Sequence, residues 1–274
     1  MAIQLGCNYS APLKSLIGAG SVDVDWIKVS VRERLKAELT DSLAYRPVLL
    51  HVLDRAGSSS PLHDGLSWDI LAKCAASAGS PHHAIHFALE PDDAGGSVSR
   101  TTHTETERRN IMDACIRGIQ SAQRHSTVPV LVENVPYYGF KGTVRCTAEP
   151  ESIHEIIAAT DTGLILDLAH VRVTADHLGT DERSHVDALP LDSVREIHVT
   201  GPRYVDGQGL RDLHYEMLDE DFALLEYTLE KTNPGIVTLE YGGTGPTFET
   251  EERNNREALM RQLVRLTEIL GRMN

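Results

Sequence analysis

Apolar residues along this chain gather into short runs, separated by longer stretches in which they recur every three or four positions. Eight of the runs read as strands: Ile3–Cys7, Trp26–Val29, Val48–Leu53, Ala84–Leu89, Val130–Val135, Leu164–Leu168, Val194–Val199 and Ile236–Leu239. They are rich in Val, Ile and Leu and carry few polar interruptions, as strands covered on both faces of a parallel sheet do. Helical spacing fills several of the gaps. It is clearest from Thr104 to Gln123, where Thr104 and Glu107 stand at capping-box spacing and Ile111, Met112, Cys115, Ile116 and Ile119 share one face. The stretch Glu251 to Leu270 repeats the pattern with Leu259, Met260, Leu263, Leu266 and Leu270. Shorter helices are expected at Leu66–Ala78, Glu151–Ala159 and Asp219–Lys231, with Ala11–Ile17 and Val31–Leu39 as the first two links. Eight strands with interleaved helices predict an α/β chain forming a single (β/α)8 TIM barrel, one domain over residues 1–274. An open doubly wound sheet is the alternative. Against it, the first strand leads into Gly6-Cys7-Asn8 and not into a glycine-rich phosphate loop.

Length and charge narrow the function. A chain of 274 residues suits one α/β barrel. A formal net charge of −14 argues against gripping duplex DNA or anionic lipid, both of which require cations. No apolar stretch approaches membrane-spanning length, and the N-terminus MAIQLGCNYS shows no signal peptide. The four cysteines lie far apart with no CxxC pair, which speaks against a disulfide framework or a thiolate zinc site. Cys74 and Cys115 sit on apolar helix faces and read as core. A cytoplasmic location is the expectation.

The chemistry lies in what interrupts the strands. His51, His86, Glu133, Asp167, His198 and Glu240 stand near the C-terminal ends of six successive predicted strands, and His170 follows Asp167 by three residues. The C-terminal mouth is where barrel active sites are built, and one phase of strand alternation directs all of these groups inward. Burying so many ionisable groups without partners is prohibitive, and the same runs hold only Lys28 and Arg195 as cations. Divalent metal ions neutralise carboxylates and accept imidazole lone pairs together. Asp212 and His214, two apart in the loop after the seventh strand, add two more candidates and join His170 as a His/Asp/His set. Nine groups suffice for two or three ions if Glu133 bridges. Nitrogen and oxygen ligands suit iron, zinc or manganese and do not separate them.

Other residues have weaker readings. Most of His82, His83, His103, His125, His154, His177 and His185 read as surface histidines. Glu90 is a candidate support for the ligands. The Tyr137-Tyr138-Gly139-Phe140 loop reads either as substrate packing or as a loop-anchoring mini-core. Arg203, Tyr204 and Arg211 are candidates to grip a substrate carboxylate, with ordinary surface pairing as the alternative.

The ordered set His, His, E-N, D-x-x-H, His, D-x-H, Glu resembles the xylose isomerase-like TIM barrels. Within them, Val132-Glu133-Asn134-Val135-Pro136, Gly163-Leu164-Ile165-Leu166-Asp167 and Glu196-Ile197-His198-Val199-Thr200-Gly201 are similar to segments of the multinuclear non-heme iron-dependent oxidative enzymes of the methanobactin-maturation type. The Asp167-Leu168-Ala169-His170 segment departs from many members, having His where they carry Asn, as in endonuclease IV. The resemblance implies an oxidoreductase with two or three irons that uses dioxygen on a ribosomally made, often cysteine-containing precursor peptide or a related small substrate. Glu133, Asp167, His198 and Glu240 would hold one ion and carry the catalytic role. His51 and His86 with bridging Glu133 would hold a second, and His170, Asp212 and His214 a third. A separate leader-binding partner protein is implied. A redox-neutral metal hydrolase or isomerase of the endonuclease IV or sugar isomerase type is the alternative.

Overall fold

The computed structural model describes residues 2–32, 34–58 and 67–273. Eight parallel strands close on themselves: β1 (Gln4–Asn8), β2 (Trp26–Ser30), β3 (Val48–Arg55), β4 (His83–His86), β5 (Val130–Glu133), β6 (Gly163–Asp167), β7 (Val194–Val199) and, after a two-stranded hairpin of β8 (Gly201–Val205) and β9 (Gly209–Tyr215), β10 (Ile236–Leu239). Pairing of β1 with both β2 and β10 closes the ring and excludes the open doubly wound sheet.

Helices α1 (Ala11–Gly18), α2 (Leu35–Ser42), α3 (Trp68–Ala78), α4 (Glu105–His125), α5 (Pro150–Thr160), α6 (Leu168–Leu178), α7 (Glu182–Asp187), α8 (Asp219–Leu229), α9 (Glu251–Asn254) and α10 (Arg256–Met273) complete the regular structure. Their starts follow side-chain caps. The Ser10 hydroxyl accepts from Leu13 N ahead of α1, and Ser67 accepts from Ile70 N ahead of α3. Thr104 and Glu107 form the capping box at α4. Leu66 and residue 33, inside two of the expected helices, lie outside the described residues, as do the ends of the 1–274 span.

Several element ends differ from the sequence reading, β5 stopping at Glu133 and α2 starting at Leu35 among them, and four differences matter more. The fourth strand ends at His86, not Leu89. The expected helix from Glu251 breaks at Asn255, whose side chain caps α10 through Ala258 N. The long loop after β7 is the β8–β9 hairpin. Helix α6 begins immediately after β6, where the apolar run continues from sheet into helix without a change of composition.

Registry sets the level of each inward group. His86 lies opposite Glu133 across β4 and β5, and Asp167 lies opposite His198 across β6 and β7. Beneath this polar layer, Ala84, Leu131 and Ile165 form a small separate apolar cluster. They are two residues before His86, Glu133 and Asp167 and share their phase of the pleat. The opposite phase, including Leu50, Val132, Leu166, Ile197 and Val237, belongs to the main core, which also takes in the helices.

Candidate metal centre

Glu133 ends β5 and is fully buried, with its two oxygens directed at two groups of residues. Oε2 lies 3.5 Å from His51 Nε2 and 3.7 Å from His86 Nε2. Oε1 lies 3.4 Å from His198 Nδ1, which is 3.0 Å from Glu240 Oε1. Among the described residues, two groups bring their ligand-type atoms within 4.8 Å of one another: His51, His86 and Glu133, and Glu133, Asp167, His198 and Glu240. Glu133 is common to both. The third expected set is looser. His170 Nε2 and His214 Nε2 approach Asp212 Oδ2 to 3.5 and 3.2 Å, but these residues are not among the groups meeting that limit. All nine sequence candidates are thus brought to one end of the barrel.

Hydrogen bonds behind these groups decide which atoms face inward. A carboxylate or carbonyl oxygen only accepts, so a ring nitrogen bonded to one carries the hydrogen. His198 Nε2 donates to Glu196 Oε1 at 3.1 Å, leaving Nδ1 toward Glu133 and Glu240. His170 Nδ1 donates to the Asn134 carbonyl at 2.8 Å, and His214 Nδ1 to the Glu240 carbonyl at 2.8 Å. Both then present Nε2 to Asp212. Holding His214 there takes a left-handed backbone, φ +56°, which is strained for a residue with a Cβ. Asp167 has two tasks: Oδ1 caps α6 by accepting from His170 N at 2.7 Å, while Oδ2 has no hydrogen-bond partner. Asn134 fixes Asp167 by bonding both its N–H and its carbonyl, at 2.8 and 3.0 Å.

Electrostatics follow from burial and crowding. Burial works against the Glu133 carboxylate, but the imidazoles of His51, His198 and His86 prevail and hold it well below the usual carboxylate range. Asp212 is likewise held low, by His214 and His170 against burial. Burial pushes Asp167 up. Burial opposes the charged form of His170, yet Asp167, Asp212 and Glu133 lift it to about 10. His51 is driven well below its ordinary value by burial and by Lys28.

The residues fit metal ions. Glu133 Oε2, Asp167 Oδ2, His198 Nδ1 and Asp212 Oδ1 are buried with no hydrogen-bond partner, and the first three belong to residues whose ligand-type atoms crowd together. Buried polar atoms without partners are rare, and such a set suits nitrogen- and oxygen-loving cations. A cavity of about 1140 Å³ opens above them. His51, His86, His170, Asp212, His214 and Glu240 line its floor, and Tyr138, Arg32 and Phe248 are among its wall residues.

Two residues at the centre lacked a role in the sequence reading. Glu196 is buried and accepts from His198, from His82 Nε2 at 2.6 Å and from Thr238 Oγ1 at 2.5 Å. Its position two residues before His198, in the same phase, is the signal that marks it. Lys28 is buried at 4% exposure and ion-paired with Glu240. Burial lowers its amine, against the pull of Glu133, Glu196, Asp167 and Asp212.

The peripheral residues find partners away from the close ligand groups, and three histidines read as surface groups are not. His82, His83 and His185 are buried, not surface groups; His82 is drawn in by Glu196. Glu90 pairs with Arg55 at 3.4 Å. Tyr138 packs with Val173 and Leu210, and its hydroxyl accepts from Asp212 N at 3.3 Å, so it anchors the hairpin. Phe140 stays exposed. Arg203 bonds the Pro202 and Glu216 carbonyls, Tyr204 bonds Asp176 and Arg211 lies over the Tyr138 ring; none of the three lines the cavity. The four cysteines are free and buried. No helix among the described residues is long and apolar enough to cross a membrane.

Comparison with known proteins places these features in context. The sequence model of a family described as RiPP precursor modification enzyme MbnB/TglH/ChrH matches residues 5–261. A UPF0276 protein of Bordetella pertussis is 39% identical over 183 residues, 60% of this chain and 62% of its own length. One from a Caulobacter species is 29% identical over 144 residues, 52% of each chain. The chain thus spans less than two thirds of the length of these curated relatives. Among solved structures, mannonate dehydratase from Streptococcus suis superposes with a TM-score of 0.62 at 12% identity, covering 99% of this chain and 93% of its own. Endonuclease IV from Thermus thermophilus superposes with a TM-score of 0.54 at 17% identity, covering 96% and 99%. These two likenesses concern the fold alone, a closed barrel of parallel strands with helices outside.

Proposed function

The chain belongs to the family of RiPP precursor modification enzymes, and from that premise we propose that it is a multinuclear non-heme iron enzyme that uses dioxygen. Its proposed substrate is a ribosomally made precursor peptide, often cysteine-containing, or a related small molecule. The observation that carries a metal-dependent reading is the convergence of buried ligand-type atoms without hydrogen-bond partners around Glu133. The oxidative reading rests on family membership.

In this reading Glu133, Asp167, His198 and Glu240 hold one ion and are the catalytic ligands. His51, His86 and Glu133 hold a second. His170, Asp212 and His214 hold a third, with looser spacing. Iron bound there supplies Lewis acidity and one-electron chemistry toward dioxygen. The chain's own residues do the rest. Glu133 offers one oxygen to each of two groups. Glu196 and the Asn134 and Glu240 carbonyls hold hydrogens on the outward ring nitrogens, so that the inward ones keep their lone pairs. The cavity of about 1140 Å³ over the ligands is where the substrate would bind. We assign one barrel domain over residues 1–274, a cytoplasmic location and a leader-binding partner protein to the same proposal.

The test is elemental analysis of protein purified without added metal, joined to oxygen consumption with cysteine-containing precursor peptides. Iron at two or three equivalents and peptide-dependent oxygen uptake are expected. Three equivalents of zinc, no iron and no uptake would replace this reading with redox-neutral hydrolysis or isomerisation.

A further inference from the structure

Lys28 is out of place for an ordinary lysine. It stands third in β2, where its neighbours across the sheet are Asn8 and Leu49, and it points into the polar layer. A buried ammonium is costly unless paired, and Lys28 is paired with the Glu240 carboxylate. That carboxylate also belongs to the group of four, with Glu133, Asp167 and His198, whose ligand-type atoms crowd together. The ammonium and an ion at that group compete for Glu240.

We propose that Lys28 is a resident counter-cation of the centre, which occupies Glu240 and weakens ion binding at the Glu133–Asp167–His198–Glu240 group. The proposal rests on the metal-centre reading but not on the identity of the metal or the reaction. Charge supports it. Glu133, Asp167, Asp212 and Glu240 together supply four negative charges, and Lys28 cancels one of them. With the buried Glu196 behind His198 the carboxylates carry five charges, so two divalent ions beside Lys28 bring the centre to neutrality, and a further ion loses the net attraction that the carboxylates alone would give it. An ion entering this group displaces the ammonium from Glu240, and Lys28 lines the cavity into which it turns. Lys28 thereby makes one position of the centre more weakly held than its ligand set alone would dictate.

The test uses zinc as the probe ion. Metal-free wild type, Lys28→Met and Lys28→Gln are titrated with zinc against a competing chelator, with folding followed by circular dichroism. The same series is repeated in a Glu240→Gln background. At least one zinc dissociation constant is expected to fall about tenfold or more in Lys28→Met and Lys28→Gln, and the gain to shrink to about threefold or less when Glu240 is Gln. Lys28→Gln carries the test if Lys28→Met does not fold. Zinc binding equal to or weaker than wild type, a gain that persists undiminished in the Glu240→Gln background, or failure of both variants to fold would each overturn the role assigned to Lys28. Wild type binding zinc normally in those cases leaves the metal-centre reading standing, whereas absence of zinc from wild type and variants alike overturns both.

Discussion

Replacing Glu196 with Gln tests whether the layer behind the ligands sets their state. Glu196 is 1% exposed, and burial is outweighed by His198 and His82, which hold its carboxyl well below the usual range. It accepts three hydrogen bonds, from His82, His198 and Thr238. The Gln amide keeps one accepting oxygen and puts an NH2 against a ring N–H. Thr238 can rotate its hydroxyl, but one imidazole must lose its partner or move its hydrogen to the other nitrogen. If that ring is His198, Nδ1 gains the hydrogen and its lone pair toward Glu133 and Glu240 is lost. Hydrogen bonds to a charged group contribute about 1.5–3 kcal/mol each, so metal-free Glu196→Gln should lose roughly 2–4 kcal/mol. Metal affinity should fall about 10- to 100-fold, as for other partners that orient metal-bound histidines. Urea denaturation of metal-free protein reads the first effect, chelator competition the second, and 15N chemical shifts of His198 and His82 the tautomers. A variant in which His198 and His82 both keep their Nε2 hydrogens and metal affinity stays within about twofold of wild type would refute the argument.

Other perturbations separate the site from its scaffold. Glu133→Ala removes the one carboxylate common to both close groups; elemental analysis should show loss of most bound metal while circular dichroism keeps the barrel signature. His83 is buried, and burial, with a smaller contribution from His82, lowers it from 6.5 to about 4. The folded state therefore favours neutral His83. The resulting stability is complete above pH 6.5 and is lost as the pH falls to about 4, a change of about 3 kcal/mol at most. Urea denaturation of metal-free His83→Gln should show a flatter dependence than wild type across that window, and parallel curves would disprove the assignment. Gly118, on α4, faces the Ala56 backbone so closely that a Cβ overlaps its carbonyl. Gly118→Ala should cost about 1–3 kcal/mol and lower the melting temperature, and an unchanged melting temperature would contradict the packing described.

The amino-acid sequence by itself determined the alternation of strand and helix, because strands buried on both faces need uninterrupted Val, Ile and Leu while helices on the outside need one apolar stripe. It also determined that the ionisable groups stand at one end of those strands. The phase of the pleat puts Glu133 and Asp167 inside, two residues beyond Leu131 and Ile165. Local signals sufficed for the Thr104 cap but not for α6, where Leu168 to Val171 continues the apolar composition of β6 and the change to helix comes from the Asp167 cap. Only the tertiary structure decided which groups share an ion-sized space. His51 on β3 meets Glu133 on β5, and Lys28 meets Glu240 from across the β1 seam; no local pattern encodes such contacts. His82 and His83 make the same point, since adjacent polar residues before a strand look solvent-exposed until a carboxylate on β7 draws one of them inward. Periodicity along a chain records which face a residue takes. What it meets on that face depends on closure of the sheet, which brings residues from distant segments to the same level and leaves buried charges only one another, or a bound cation, for compensation.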